Sequence, residues 1–466
     1  MIVFQPQPDL ETKAVTYLLQ HHFRTWPDVL RITGGLSESV TIWLGSGRSC
    51  PMVDLALSSM ALGIFSRTQR YRPAAIESSE HHQRLLRIAQ RRIAQVQTSH
   101  VDERGIDACL LAISMMGRYD GIFLRPDPIS HAGRDFAELR GWAHHDGAIA
   151  ILKHWYDHYG QNIPSPFVKR IRRETIKHCL LRCMPLPDWM LDGSKFGEYG
   201  LELEYDYIAT RIINLHHVCR RFRHESSCYN LQQQIIQAHE LNREAQYLDE
   251  ELQKWAARFS RICTYQEHIL DEPVPQPREH LYSSKVYIYP SAGYGGAWSD
   301  YFGTAMLITA TRLRLLESTA NHFRQPSSSS SSSPSSSPST INSTPQDQQL
   351  HKLHQQHTHR MQTLSEAIAA TIPYCLGLLI ETTTTTTTSP SPTSSTTTKI
   401  TLHPQNLIMP YLGSLLVWSL AIASSLMDVG MCPKQQTWFR KELASLGRLT
   451  GEAVLEAAET ESWGVL

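Results

Sequence analysis

Histidines are the residues of this sequence whose spacing comes closest to a chemical site. His144, His145 and Asp146 are consecutive and could hold a metal ion or exchange protons. Adjacent residues of a helix point to different sides, so the two histidines cannot easily face one metal, and the sequence identifies no third ligand. We therefore favour a packing role for this run.

Two further patterns resemble catalytic or metal sites but lack an essential part. Glu225 follows a histidine, yet Cys228 stands where the HExxH motif requires its second histidine. Glycines 293, 295 and 296 resemble a phosphate-binding loop, but no GK[ST] follows, so a flexible connector is favoured. No G-x-S-x-G motif is present. We expect no enzymatic activity, no cofactor and no bound metal.

A second group of histidines lies beside a serine-rich stretch. Its members are His351, His354, His357 and His359. They could bind a divalent metal adventitiously, but compositional bias in a solvated loop is the favoured interpretation.

The strongest basic patch is Lys169, Arg170, Arg172 and Arg173. It has two interpretations, a nuclear-import signal and the solvated face of a helix, and the second is favoured because short basic runs are common. Lysine plus arginine (44) equals aspartate plus glutamate (44), so the whole chain has no basic excess. A protein that coats nucleic acid or an anionic membrane normally shows such an excess.

The elements that position these residues are predicted to be helices. Leu241, Ala245, Leu248, Leu252, Trp255 and Phe259 recur every three or four residues, which places them on one helix face. Similar stripes run through residues 85–96 and 439–457, and the best strand signal is the short stretch 285–289. The prediction is an all-α protein, a large multi-helix domain. Intradomain packing of the first stripe is favoured over dimerisation, which stays open.

Two low-complexity insertions interrupt this domain. We predict a main helical body over residues 1–325, a disordered Ser/His-rich insertion over 326–360 and a helix packed on the body over 361–381. A disordered Thr/Ser-rich insertion over 382–400 and C-terminal helices over 401–466 complete it. The uncharged stretch 407–427 is long enough for a membrane span, but its serines, proline and glycine favour a buried core helix. Nine scattered cysteines and the absence of a signal peptide indicate a reducing compartment.

Several motifs, in order, resemble one family. Residues 142–148 (WAHHDGA) are similar to a family pattern in which a histidine, two further residues and Gly-Ala precede a leucine-rich helix. The residues that carry this similarity are Trp142, His144, Gly147 and Ala148. Pro187 and Trp189 resemble a Leu-Pro-x-Trp turn, Trp255 ends an Ala…Leu…Leu…Trp helix, and Pro373 lies in an Ile-Pro-Tyr segment. Residues 418–425 with the helix after Trp438 complete the series. Together they resemble the middle-homology, fungal-specific regulatory region of fungal zinc-cluster transcription factors.

The resemblance implies a regulator of transcription in the nucleus. Its partners would be proteins of the transcription machinery, with a small-molecule effector and a homodimer both open. The family's six-cysteine DNA-binding module is missing here, so DNA contact would need a zinc-cluster module encoded elsewhere or a partner protein. The alternative is a stand-alone helical interaction scaffold with no role in transcription.

Overall fold

The computed structural model describes most of the 466 residues. The described ranges are 8–23, 36–98, 102–123, 142–225, 231–270, 277–324, 345–386, 395–402, 408–426 and 429–460. Within these ranges the chain is almost entirely helical, with two small antiparallel hairpins. The predicted all-α class is confirmed.

The N-terminal half contributes nine helices among the described residues. They are α1 (Leu10–His21), α2 (Leu36–Gly45), α3 (Pro51–Thr68), α4 (Arg72–Thr98), α5 (Glu103–Phe123), α6 (Ala143–Tyr159), α7 (Pro166–Leu181), α8 (Gly200–Glu225) and α9 (Leu231–Ile262). Two single 3₁₀ turns, Asp188–Met190 and Gly193–Phe196, connect α7 to α8. Helix α3 packs against α1, α4 and α5, and α5 also packs against α6 and α7.

The C-terminal half adds six helices and both hairpins within the described ranges. In order these are β1 (Gln266–Ile269), β2 (Lys285–Ile288), α10 (Ala292–Arg324), α11 (Pro345–Cys375), β3 (Leu379–Thr386), β4 (Ser395–Leu402), α12 (Pro410–Gly413), α13 (Val417–Ser425), α14 (Pro433–Thr450) and α15 (Ala453–Glu456). Helix α10 packs against α8, α9, α11 and α13, which places it at the centre of this half.

Local sequence explains where several helices begin and end. The Asp9 carboxylate caps α1 by accepting from the Thr12 amide at 2.7 Å, and the Ser165 hydroxyl caps α7 ahead of Pro166. Proline is suited to the first helical position because its missing N–H has no partner there. Helix α14 ends where Gly451 adopts a φ of +77°, a left-handed conformation that favours glycine. The predicted stripe over 439–457 is therefore divided between α14 and the segment that follows it.

The predicted stripe on α9 forms part of the core. Ala245, Leu248, Leu252, Trp255 and Phe259 are all fully buried. They face α8 and α10 of the same chain, so the predicted intradomain packing of this stripe is confirmed. Buried side chains from Ala14 to Ala458 belong to one continuous hydrophobic cluster, which draws on both halves of the chain.

The two hairpins lie in different parts of the chain. Strand β2 forms over the first four residues of the predicted strand at 285–289 and pairs with β1, Gln266 opposite Ile288. Strands β3 and β4 pair from Leu379 opposite Leu402 to Thr386 opposite Ser395. The prediction of disorder over 382–400 is thus wrong at both ends of that insertion. Consecutive β-branched threonines favour the extended backbone of a strand, which the interpretation by composition overlooked.

The first insertion is also shorter than predicted. Helix α11 begins at Pro345, so residues 345–360 are helical and the packed helix does not start at 361; residues 325–344 lie outside the described part. His357 is buried on this helix, which corrects the interpretation of its histidines as members of a solvated loop. Glycines 293, 295 and 296 likewise lie in the first turns of α10 and form no flexible connector. A Cβ at Gly295 would approach the Cys375 sulfur to 2.6 Å, so close helix packing explains this glycine.

The uncharged stretch 407–427 does not form the single helix that was predicted. It forms α12 and α13, and α13 is almost entirely buried. The hydroxyls of Ser419 and Ser424 donate to backbone carbonyls three residues earlier, which satisfies them inside the core. Among the described residues, every helix is too short or too polar to cross a membrane.

Candidate functional site

A cavity of about 320 Å³ lies between helices α5, α6, α7 and α13, and the start of α15 closes one side. Its size falls within the lower range of pockets that bind small molecules, about 300–1,000 Å³. Apolar side chains, including Ile113, Ile171, Leu181, Trp418 and Leu455, cover much of its wall. The remaining wall is strongly polar.

Positive charge exceeds negative charge in this wall. Four cationic side chains and two carboxylates line it, namely Arg118, Arg170, Arg173 and Lys177 against Glu174 and Glu452. Arg118 pairs with Glu452 at 3.1 Å, and a guanidinium nitrogen of Arg170 contacts Glu174. Arg173 pairs with Glu198 and Glu202, and Lys177 with Asp300, so all four cations have a carboxylate partner, and it is their hydrogen-bond donors that favour an anionic occupant.

Arg170 is the residue of the wall whose hydrogen bonding is least satisfied. It is 8% exposed, and one terminal nitrogen, Nη2, contacts the Glu174 carboxylate. Its Nε and Nη1 atoms are buried and have no hydrogen-bond partner among the described residues. A buried donor without an acceptor costs about 1–3 kcal/mol, so a ligand that supplies acceptors here would recover that cost.

Lys177 and Arg173 separate this cavity from a smaller one of about 60 Å³ on the side of α8 and α10. The Lys177 ammonium lies 5.0 Å from the centre of the Trp418 ring and 3.4 Å from an Asp300 carboxylate oxygen. Burial raises the pKa of Asp300, and the charge of Lys177 opposes that rise. The two cavities thus share a wall of cations held in fixed positions.

The predicted basic patch is largely buried, so its interpretation as a solvated helix face is wrong, whereas the nuclear-import signal stays a prediction. Lys169 and Arg173 form ion pairs with Glu198 and Glu202 of the next helical segment. Burial lowers the pKa of Arg173, but its bonds to these carboxylates outweigh burial and leave that pKa raised.

Arg172, which also belongs to the patch, is fully buried. Its guanidinium donates two parallel bonds to Asp206, at 2.7 and 2.8 Å, and a third to the Met190 carbonyl at 2.9 Å. Burial raises the pKa of Asp206, while the Arg172 charge and hydrogen bonds lower it. The pair fixes α7 against α8 and thereby sets the direction of Arg170 and Lys177 on the other side of α7.

Residues of the WAHHDGA motif position helix α6 at the cavity. Ala148 and His145 line its wall. The His145 ring packs on the His178 ring with their centres 3.7 Å apart, and Trp142 packs on both. A Cβ at Gly147 would lie 3.0 Å from Ile113, so glycine at this position permits α6 to approach α5 closely. These motif residues are therefore structural parts of the cavity.

The remaining motif residues do not line the cavity. Trp255 is fully buried and its indole N–H donates to the Leu201 carbonyl at 2.8 Å. Pro187 precedes a 3₁₀ turn, and Trp189 in that turn packs on the Tyr156 ring. Pro373 lies in the last turn of α11, where its carbonyl accepts from the Leu378 amide at 2.9 Å.

His144 points away from His145, as the helical spacing predicted. Its Nε2 lies 3.4 Å from a carboxylate oxygen of Asp120 on α5, and its ring lies edge-on to His82 of α4. Its partners His82 and Asp120 are 62 and 24 positions away in the sequence, too far for local spacing to identify them. Only the packing of three helices brings them together.

Comparison of the chain with protein-family models, with curated proteins and with solved structures gave no match. A function for this fold has to be argued from the chemistry of its own residues.

Proposed function

We propose that this chain is the helical regulatory region of a fungal-type transcription factor, and that the cavity between α5, α6, α7 and α13 receives its effector. The observation that carries the effector part is the cationic wall, above all the unsatisfied Arg170 donors. The transcriptional part rests on the resemblance of the ordered motifs. The all-α fold is compatible with it.

The wall indicates the chemical class of the effector. Cationic side chains with buried N–H donors favour a carboxylate or a similar anion, since guanidinium groups bind planar oxyanions through short, charge-assisted bonds. Ile113, Ile171 and Trp418 supply apolar surface next to those cations. A small organic acid with one anionic group and an apolar body satisfies both parts of the wall.

The position of the cavity provides a means of regulation. Its wall includes α5 and α6 of the N-terminal half, and α13 with the start of α15 near the C-terminus. An effector that contacts both groups of helices would favour the arrangement in which they are close together. Such coupling between a ligand and a conformational equilibrium is typically worth about 1–3 kcal/mol, or about 5–150-fold in affinity. We propose that this arrangement exposes or hides a surface for protein partners in the nucleus.

The transcriptional part is tested by fusing the full chain to a heterologous DNA-binding domain in a yeast reporter strain. The fusion is expected to change reporter expression several-fold, in either direction, relative to the DNA-binding domain alone. Arg170→Gln should alter that output, whereas the exposed Arg258→Gln should not. A fusion that leaves the reporter unchanged although the chain is folded and nuclear would favour the interaction-scaffold alternative.

The effector part is tested with benzoate as a probe, because it carries a carboxylate on an apolar ring. Isothermal titration calorimetry of the purified chain should detect one site, and Arg170→Gln and Lys177→Gln should each weaken it about tenfold or more, as expected for loss of a charged hydrogen bond of about 1.5–3 kcal/mol. Arg258→Gln is the matched control. Equal affinity in all four proteins would rule out the cavity as the binding site.

A further inference from the structure

We propose that His82, Asp120 and His144 form a binding site for a zinc-like divalent metal ion with at least one position open to solvent. The three residues come from α4, α5 and α6 respectively. Each offers one ligand atom, and these atoms all lie within 4.8 Å of one another. None of the three residues lines the effector cavity, and the site does not depend on the function proposed for that cavity.

The geometry is close to that of a three-ligand zinc centre. Bonds of about 2.0–2.1 Å in a tetrahedral arrangement place ligand atoms about 3.3 Å apart. His144 Nε2 and the Asp120 oxygen are already 3.4 Å apart. The third ligand atom, on His82, lies within 4.8 Å of both, so it needs to move inward by at most about 1.5 Å, which side-chain rotation can supply.

His82 is held so that its imidazole remains available. Its ring stacks on Tyr119 with centres 3.8 Å apart and planes 6° from parallel. Its Nδ1 atom is buried and has no hydrogen-bond partner among the described residues. A buried polar atom without a partner is costly, and a metal bond to either ring nitrogen, with rotation of the ring, would give this buried imidazole a bonding partner.

The ligand set indicates the class of metal. Two imidazoles and one carboxylate suit Zn²⁺, Co²⁺ or Ni²⁺, whereas Mg²⁺ and Ca²⁺ prefer oxygen ligands alone. The side chains of His144 and Asp120 are 17% and 22% exposed, so water can reach the ion. Three protein ligands with an open position are the pattern of zinc sites that retain a bound water.

A second group, Glu11, Glu77 and His81, also has metal-ligand spacing. It offers two carboxylates and one imidazole, and Glu11 already contacts the Ser58 hydroxyl. Exposed acidic groups of this kind are common without an ion, so the site with two histidines is the stronger candidate. Surface histidines such as His154 and His158, whose rings are 4.2 Å apart on α6, could also bind metal weakly. The experiment therefore has to distinguish metal bound at the two-histidine site from metal bound by these other two groups of residues.

The test is calorimetric titration of Zn²⁺ into the chelator-treated full chain, with Co²⁺ absorption as a second readout. One site tighter than the rest is expected, with the visible bands of four- or five-coordinate cobalt. Asp120→Asn and His144→Gln should each weaken that site at least about tenfold, because loss of even an outer-sphere partner costs about 10–100-fold. The matched controls His158→Gln and His81→Gln should retain it.

Circular dichroism of each variant establishes that it is folded, and Asp120→Asn, which changes no heavy-atom count, is the least disruptive change. The proposal is overturned if the chain binds no zinc, or if Asp120→Asn and His144→Gln bind it as tightly as the wild type. Loss of the tight site in His81→Gln instead would assign the metal to Glu11, Glu77 and His81. Loss in His158→Gln would leave adventitious surface binding as the explanation.

Discussion

Buried histidine His216 should make the stability of this protein depend on pH. It lies on α8, is 3% exposed, and its Nδ1 is 3.3 Å from the Thr311 hydroxyl of α10. Its Nε2 is buried without a hydrogen-bond partner in the described ranges. Burial, together with the positive charge of Arg314 and neighbouring basic residues, lowers the pKa of His216 to about 3. The folded protein therefore holds this imidazole neutral.

The sign and size of the effect follow from proton linkage. Below pH 6.5 the unfolded chain binds a proton at this histidine that the folded protein does not bind until about pH 3. The contribution of His216 is therefore fully present above pH 6.5 and is lost as pH falls. Between pH 7.5 and 5.5 the unfolded state gains a factor of about ten from protonation, which is about 1.4 kcal/mol of stability lost.

Urea unfolding at pH 7.5 and pH 5.5 measures this difference for wild type and for His216→Gln. Glutamine keeps a polar group near Thr311 but does not titrate. The variant should therefore lose about 1.4 kcal/mol less stability between the two pH values than the wild type loses. Other buried histidines, such as His22 with a pKa lowered to about 3, are present in both proteins, so their contributions to the pH dependence cancel in the comparison. The exposed His158→Gln serves as the matched control. An identical pH dependence in wild type and His216→Gln would show that His216 does not stay neutral in the fold.

Three further outcomes test the packing and the reactivity of the chain. Arg172→Gln should lower the free energy of unfolding by about 3–5 kcal/mol in urea titrations, because it leaves Asp206 buried without its cation. Gly447→Ala should cost about 1–3 kcal/mol by the same measurement, since its Cβ would lie 2.8 Å from the Glu452 carbonyl. Gly45→Ala, with open space around its Cβ, should be neutral or gain up to about 1 kcal/mol. A thiol reagent should modify the exposed Cys432 in the folded protein, and Cys432→Ser should remove one fast-reacting thiol. Cys219, whose pKa burial raises to about 12, should react only on unfolding.

Periodicity in the sequence predicts the fold class and much of the core. The stripe from Ala245 to Phe259 reports burial directly, because a helix that buries one face needs apolar residues at that spacing. Composition predicts less well where a segment is polar but structured. Residues 345–360 are rich in glutamine and histidine, yet they continue α11 because good helix formers and the packing of residues 361–375 extend the helix backwards.

The candidate sites could not be predicted because their parts are far apart in sequence. Asp206, which neutralises Arg172, is 34 residues away, and Asp120 is 24 residues from His144. Local spacing contains no information on such pairs. Only the connecting segments and the packing of α5, α6, α7 and α8 determine which charges meet.

The basic run on α7 shows why a charge cluster alone does not identify a surface. Lys169 and Arg173 are four residues apart and share one face, where Glu198 and Glu202 neutralise them. Arg172 points to a second face and is neutralised by Asp206. On a third face Arg170 contacts Glu174 and keeps two further donors without partners among the described residues, so this face retains hydrogen-bonding capacity although its charge is paired. If the cavity binds an anion, the ion pairs on the other faces hold α7 in place, so that a ligand meets the Arg170 donors without the cost of ordering the helix.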